Sequence, residues 1–156
     1  MKKACAWLPA LLWMGLIYLM SAMPGDVSGA QSGMLTEMLL SFLSFLTGGA
    51  VRLSADVLHL LIRKGCHMAE YAVLALLCLR ALRICGAAHA AVSALAISVF
   101  YAAGDEFHQG FVAGRGPSPV DVCIDALGAV LALLAARAIL CIRRKTPRRQ
   151  AISSEQ

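Results

Sequence analysis

Charged side chains are scarce in this 156-residue chain: they make up 15% of it, and only nine are Asp or Glu. Soluble domains carry about 25% charged residues, so this scarcity argues against a soluble fold. Disorder is excluded as well, because disordered segments are poor in apolar residues and 60% of this chain is hydrophobic. The six cysteines show no paired spacing, which excludes a disulfide-stapled scaffold. The composition predicts a single membrane-embedded domain, residues 1–142.

Four apolar stretches are long enough to cross a bilayer, which takes ~20 mostly apolar residues in a helix. They cover residues 4–23, about 65–82, 84–104 and 120–142. No alternating strand pattern is present, so these spans are expected to be helices. Between the first two, residues 34–47 place polar side chains on one side and apolar ones on the other, which indicates an amphipathic segment in the membrane interface. The predicted fold is all-α, a polytopic membrane protein with four transmembrane helices and one interfacial segment.

Lysine and arginine concentrate in three short segments. They flank the first span at Lys2 and Lys3, the turn between spans two and three at Arg80 and Arg83, and the end of span four within residues 143–149. With four spans these segments share one side, and basic loops mark the cytoplasmic side of a membrane. Both termini are therefore predicted to be cytoplasmic, and the net charge of +5 is mainly a topology signal.

The basic tail, residues 143–156, is expected to lie in the cytoplasm against anionic membrane lipid, which attracts each Lys or Arg by about 1 kcal/mol. No basic face with interleaved aromatic residues is present, so no nucleic-acid partner is expected. The first span could instead be a cleaved signal peptide, because small Ser21 and Ala22 follow its apolar core. The length of the apolar run and the presence of Pro24 favour a retained span.

Ionisable side chains at membrane depth are costly and therefore point to function. Six such residues before and within the second span follow spacings of three and four: Arg52, Asp56, His59, Arg63, His67 and Glu70. This spacing predicts one long helix, or two nearly coaxial helices, with a single polar edge. Asp105 and His108 end the third span with the same spacing, and Asp121 and Asp125 begin the fourth.

In the four-span topology these helix ends all lie on the outer side of the membrane, so their polar side chains are predicted to meet there in one pocket. We call this set the outer polar cluster: Arg63, His67, Glu70, Asp105, Glu106, His108, Gln109, Arg115, Asp121 and Asp125. Five of the nine acids belong to it. The carboxylates of the cluster outnumber its arginines, and this excess of negative charge favours a bound cation or shared protons.

Four short motifs in this region carry a family resemblance. They are Arg63-Lys64-x-x-His67-x-x-Glu70-Tyr71, then Asp105-Glu106-Phe107-His108-Gln109, then Gly114-Arg115, then Asp121 with Gly128 seven residues on. Over residues 63–136 the chain resembles the VanZ-like family of small bacterial membrane proteins. The resemblance implies a multi-pass protein of the bacterial cytoplasmic membrane, in a family named for a protein associated with low-level teicoplanin resistance. The family usually has Asn where this chain has Asp125.

Four side chains of the cluster are candidates for acid–base chemistry or for ligation of a metal: His67, Glu70, Asp105 and His108. Two histidines with carboxylates on adjacent helices could bind a divalent ion such as Zn²⁺. A metal is not required, since a histidine held by a carboxylate suffices for general acid–base catalysis. No HExxH-type motif is present to favour the metal.

Six other side chains of the cluster are candidates for binding: Arg63, Glu106, Gln109, Arg115, Asp121 and Asp125. Arg63 and Arg115 could hold a phosphate or carboxylate bidentately. The structural alternative is a network of salt bridges and hydrogen bonds that only locks the helices together. The sequence leaves both interpretations open.

The functional prediction is a membrane protein that binds or acts on a cell-envelope component, either lipid-linked or related to peptidoglycan, and so lowers susceptibility to glycopeptide antibiotics. An enzyme and a non-enzymatic binding or structural protein both fit the cluster. A transporter fits less well, because no inverted repeat is visible. Membrane lipids are the expected partners.

Overall fold

The computed structural model describes the backbone of residues 2–48 and 54–153, and the side chains of residues 3–48 and 54–143. Its elements are α1 (Lys2–Cys5), α2 (Leu8–Ser21), α3 (Gly25–Thr47), α4 (Ala55–Cys85), α5 (Ala90–Gln109) and α6 (Pro119–Ser153). No strand occurs in the described ranges, which confirms the all-α prediction. Arg52, at the start of the predicted polar stripe, and residues 154–156 of the basic tail lie outside them.

Three segments of the described chain are long and apolar enough to cross a membrane: Lys3–Ser21, Ala90–Gln109 and Pro119–Arg143. They correspond to the first, third and fourth predicted spans. The second predicted span lies in α4, which is not one of the three. Helix α4 carries charged side chains along its length, among them Arg63, Lys64 and Glu70.

Helix α4 is the centre of the fold. It runs without interruption for 31 residues, about 46 Å at 1.5 Å per residue, so the polar stripe and the second apolar stretch form one long helix. It contacts each of the other five helices. Tyr71, Leu74 and Cys78 on α4 are fully buried and form the core with Ala94 of α5 and residues of α2. The helix ends where Gly86 adopts a left-handed φ of 81°, a conformation that glycine adopts without strain.

Helix α3 begins earlier than the predicted interfacial segment. Residues 34–47 are the second part of a 23-residue helix that starts at Gly25, directly after the N-cap Pro24. The sequence Pro24-Gly25 marks the end of the first span, and Pro24 also opens the next helix. Ser32 and Thr36, one helical turn apart, are buried where α3 packs on α4. Their hydroxyls donate to backbone carbonyls of α3 itself, at 2.7 and 2.8 Å.

Two side-chain hydrogen bonds attach the middle of helix α2 to α4 and α5. Trp13 Nε1 donates to the backbone carbonyl of Glu70 on α4 at 2.9 Å, and the Tyr101 hydroxyl of α5 donates to the carbonyl of Met14 at 2.6 Å. At the other end, the Cys85 thiol lies 3.9 Å from the carbonyl of Lys3. The amino-terminal segment and the α4–α5 turn, with their basic residues, therefore share one end of the bundle.

Two close backbone approaches fix the opposite end. A side chain at Gly128 would collide with the Met68 carbonyl, so glycine allows α6 to pack directly on α4. The Gly25 amide donates to the Ala113 carbonyl at 3.0 Å, and a Cβ on Gly25 would collide with Gly114. The start of α3 is therefore held against the loop between α5 and α6.

Candidate functional site

The residues of the outer polar cluster all lie at this second end of the bundle, but they do not form the single pocket that the sequence predicted. The structure divides them among a set of bonded side chains and two cavities on either side of the end of α2. The end of α2 separates the two cavities, because Met20 and Ser21 line one of them and Tyr18 lines the other. Helical periodicity within the other helices could not predict the position of α2.

The bonded set, which we call the lock, comprises Lys64, Glu106, Gln109, Ser118 and Asp121. Lys64 and Asp121 form an ion pair that joins α4 to α6, with side chains 30% and 23% exposed. The Ser118 amide donates to Glu106 Oε1 at 2.6 Å, which ties the α5–α6 loop to α5. Gln109 Nε2 donates to Asp105 Oδ2 at 3.1 Å within α5. These side chains connect the three helices that meet here.

The arginine cavity lies between α2, α3, α4 and the α5–α6 loop, with a volume of about 110 Å³. Arg63, His67, Glu70 and Arg115 are its ionisable lining residues. His67 Nδ1 lies 3.4 Å from Glu70 Oε2, and both side chains are largely buried. A histidine oriented by a carboxylate in this way is equipped to accept or donate a proton.

Arg115 is a cation of the cavity that has buried nitrogen atoms. Its Nη2 donates to the carbonyl of Met20 at 3.4 Å, a long contact, and its Nε and Nη1 are buried without a hydrogen-bond partner among the described residues. Burial lowers the pKa of the Arg115 guanidinium from its ordinary value, and the charge of Arg63 lowers it further. The ordinary value is so high that the group stays protonated. Buried donors on a cation are normally paired, so this arrangement suits an anion.

The second cavity, which we call the tyrosine cavity, contains the other predicted histidine. It measures about 200 Å³ and is lined by Tyr18, Phe100, Tyr101, Gly104, Asp105 and His108. The rings of Tyr18 and His108 lie with their centroids 4.8 Å apart. His108 Nδ1 is buried and has no hydrogen-bond partner among the described side chains and backbone. His108 therefore faces α2 and belongs to a different cavity from His67.

Outside the lock, two acids of the outer polar cluster are buried. Asp105 and Asp125 are 7% and 4% exposed, and one carboxylate oxygen of each lacks a hydrogen-bond partner within the described ranges. The charges of Asp105, Glu106 and His67 all act on Asp125. The buried Tyr71 hydroxyl, also unpaired there, interacts electrostatically with both acids. Acids of like charge thus meet at the centre of the cluster.

The candidates for metal ligation are not brought together. In residues 3–48 and 54–143, no group of three or more His, Cys, Asp or Glu side chains is arranged to hold an ion. His67 with Glu70 and Asp105 with His108 lie in separate cavities. The geometry leaves acid–base chemistry at the His67–Glu70 pair as the better supported of the two candidate chemistries.

Sequence reasoning missed two groups of cavity residues. Ser28, Gln31 and Ser32 of α3 line the arginine cavity, and Tyr18 of α2 lines the tyrosine cavity. The spacing of four between Ser28, Ser32 and Thr36 is a signal that could have revealed the polar face of α3. Nothing in the sequence around Tyr18, at the end of an apolar stretch, distinguishes it from an interfacial tyrosine.

Comparison with known proteins identifies the family. No curated protein and no solved structure matches the chain. The family described as VanZ/LLP1 matches residues 6–141, nearly the whole length and more than the 63–136 over which the motifs are strongest. The chain therefore belongs to the VanZ/LLP1 family.

Proposed function

We propose that this VanZ-type protein crosses the bacterial cytoplasmic membrane four times, with α2, α4, α5 and α6 as the spans and both termini in the cytoplasm. The proximity of Lys3 and Cys85 supports this topology, because it places the first two basic segments at one end. Helix α3, with exposed Met34, Met38, Phe42 and Phe45, then lies at the outer surface in contact with lipid.

We further propose that the arginine cavity binds an anionic group of a cell-envelope component, lipid-linked or related to peptidoglycan. The observation that carries this proposal is the guanidinium of Arg115, whose Nε and Nη1 are buried and have no hydrogen-bond partner among the described residues. Arg63 adds a second positive charge to the same cavity. Binding of an envelope component at this site would lower the susceptibility of the cell to glycopeptide antibiotics such as teicoplanin.

A reaction at the same site is the second candidate function. The His67–Glu70 pair supports it, since the pair places an acid–base group beside the anion site. A purely structural role is supported by the lock, whose side chains pair with one another and with the backbone. The lock and the arginine cavity use different residues, so the two roles can be tested separately.

The test of anion binding is Arg115→Gln in the full chain, expressed in a teicoplanin-sensitive bacterial host. We expect the wild-type chain to raise the minimum inhibitory concentration of teicoplanin and the variant to lose this effect at equal membrane abundance. His89→Gln is the matched control, because His89 is an exposed residue at the start of α5, at the other end of the bundle. Unchanged teicoplanin tolerance with Arg115→Gln would refute the proposal.

His67→Gln separates a reaction from binding alone. This variant keeps the size and polarity of the side chain but cannot carry a titrating proton. If the site is catalytic, His67→Gln loses the teicoplanin phenotype while the purified protein still binds inorganic phosphate as wild type does. A phenotype that survives the substitution identifies a binding protein without catalysis.

A further inference from the structure

An apolar groove continues from the arginine cavity along the bundle. It lies between α2 and α4, has a volume of about 320 Å³, and its deeper walls are Trp13, Leu16, Ile17, Ala69 and Val73. The groove and the arginine cavity share three lining residues: Met20, Cys66 and Glu70. The two spaces therefore meet along one edge, and the carboxylate of Glu70 lies at that edge.

The groove extends away from the polar end of the molecule. Trp13 precedes Met20 by seven residues on α2, which corresponds to about 10 Å along the helix axis. Its walls are open to the exterior, since Leu16 and Val73 are 43% and 37% exposed. In the proposed topology this direction leads from the outer surface toward the middle of the bilayer, where the exterior is hydrocarbon.

The small, cationic arginine cavity is thus joined to the longer apolar groove. The arginine cavity has the volume of a few water molecules, so it accommodates a compact anion but not a disaccharide or a peptide. A soluble anion would bind in the arginine cavity but leave the apolar groove unfilled. An uncharged hydrocarbon would fill the groove but leave the buried nitrogen atoms of Arg115 without a described partner. A molecule with both parts satisfies both observations.

We propose that the ligand of this site is a phosphate-bearing lipid of the outer leaflet. Its phosphate or diphosphate binds Arg63 and Arg115, and the first part of its hydrocarbon chain lies in the α2–α4 groove. This inference rests on the proposed function of the arginine cavity and adds the chemical class of the ligand. Free phosphate shares the anionic chemistry, and the experiment below distinguishes the two sources.

The test measures equilibrium binding to the full chain in phosphatidylcholine nanodiscs, with two labelled probes: a long-chain polyisoprenyl phosphate and inorganic phosphate. We expect the lipid phosphate to bind at least about tenfold more tightly, because its hydrocarbon chain partitions into the nanodisc and concentrates the phosphate around the protein, whereas inorganic phosphate stays in water. The variant Ala69→Trp fills the groove and is expected to reduce lipid phosphate binding about tenfold while inorganic phosphate binding stays unchanged. Ala103→Trp, at an exposed position of α5 outside the described cavities, is the matched control.

A second groove variant, Val73→Phe, lies one turn farther from the arginines and keeps the test valid if Ala69→Trp does not fold. Equal binding of the two probes to the wild type, or full lipid phosphate binding by both groove variants, would overturn the assignment of the groove. The proposed function would survive that result provided that Arg115→Gln weakens binding of both probes. If Arg115→Gln leaves both probes bound as in wild type, the anion site itself is wrong.

Discussion

The lock and the arginine cavity lie side by side at one end of the same bundle, yet they differ in whether their polar atoms have hydrogen-bond or ion-pair partners. In the lock, Lys64 pairs with Asp121 and Glu106 accepts from the Ser118 amide. In the cavity, Arg115 is left with two buried nitrogen atoms that have no described partner. A satisfied polar network rigidifies a fold, whereas an unsatisfied one costs stability until something binds. This difference is what the proposed function rests on, with the lock contributing stability and the cavity binding a ligand.

The largest effect on stability is expected at Gly128, where α6 packs directly on α4. Gly128→Ala forces a Cβ against the Met68 carbonyl and pushes α6 away from α4, at a cost of about 3 kcal/mol. The matched control is Gly15→Ala, because nothing lies within 4 Å of a Cβ there; its stability should change by no more than about 1 kcal/mol. Unfolding of the purified chain by SDS in mixed micelles measures both. Similar midpoints for the two variants would contradict the close packing.

The next largest effect should come from the lock. Lys64→Met leaves the Asp121 carboxylate partly buried without its partner, so we expect a loss of about 2 kcal/mol in the free energy of unfolding. The double variant Lys64→Met/Asp121→Asn should recover part of this loss, because the unpaired charge is then gone. Phosphate binding should be unaffected in both. A Lys64→Met protein with wild-type stability would show that the lock is not structural.

Asp125→Asn is expected to stabilise the protein by about 1 kcal/mol. Burial disfavours the charged form of the Asp125 carboxyl, the charge of His67 favours it, and the charges of Glu106, Asp105 and Asp121 oppose it. The amide removes this repulsion and can donate to a neighbouring carboxylate. The family's usual Asn at this position would then be the more stable choice. A lower unfolding midpoint for the variant, measured in the same SDS titration, would instead identify the His67–Asp125 interaction as dominant.

The smallest effect on stability is expected for the residue with the largest effect on binding. Arg115→Gln gives up one contact of 3.4 Å and relieves two unpaired donors, so the free energy of unfolding should change by less than about 1 kcal/mol. Thermal unfolding of wild type and variant in detergent, without added ligand, measures this. A loss as large as that of Lys64→Met would place Arg115 in the lock and remove the distinction between the two regions.

Periodicity in the sequence was sufficient for the all-α fold, for the polar stripe on α4 and for the end of the bundle where the polar side chains gather. These depend on the spacing of residues within single helices. The division into two cavities depends instead on how the last turn of α2, with Tyr18, Met20 and Ser21, packs against the other helices. Spacing within single helices carries no signal for that packing. The early start of α3 was also missed, because Pro24-Gly25 reads as a terminator of one helix and as the N-cap of the next.

The spacing of charges along α4 has a consequence for the depth of the site. Arg63 and Arg83 are 20 residues apart, which is about 30 Å along a helix and equals the thickness of a bilayer core. In the proposed topology Arg63 therefore stands level with the outer headgroups when Arg83 stands level with the inner ones. His67 and Glu70 then lie within about 10 Å of that boundary. The thickness of the membrane, as much as the packing of the bundle, sets how far below the outer headgroups a bound molecule must reach to contact them.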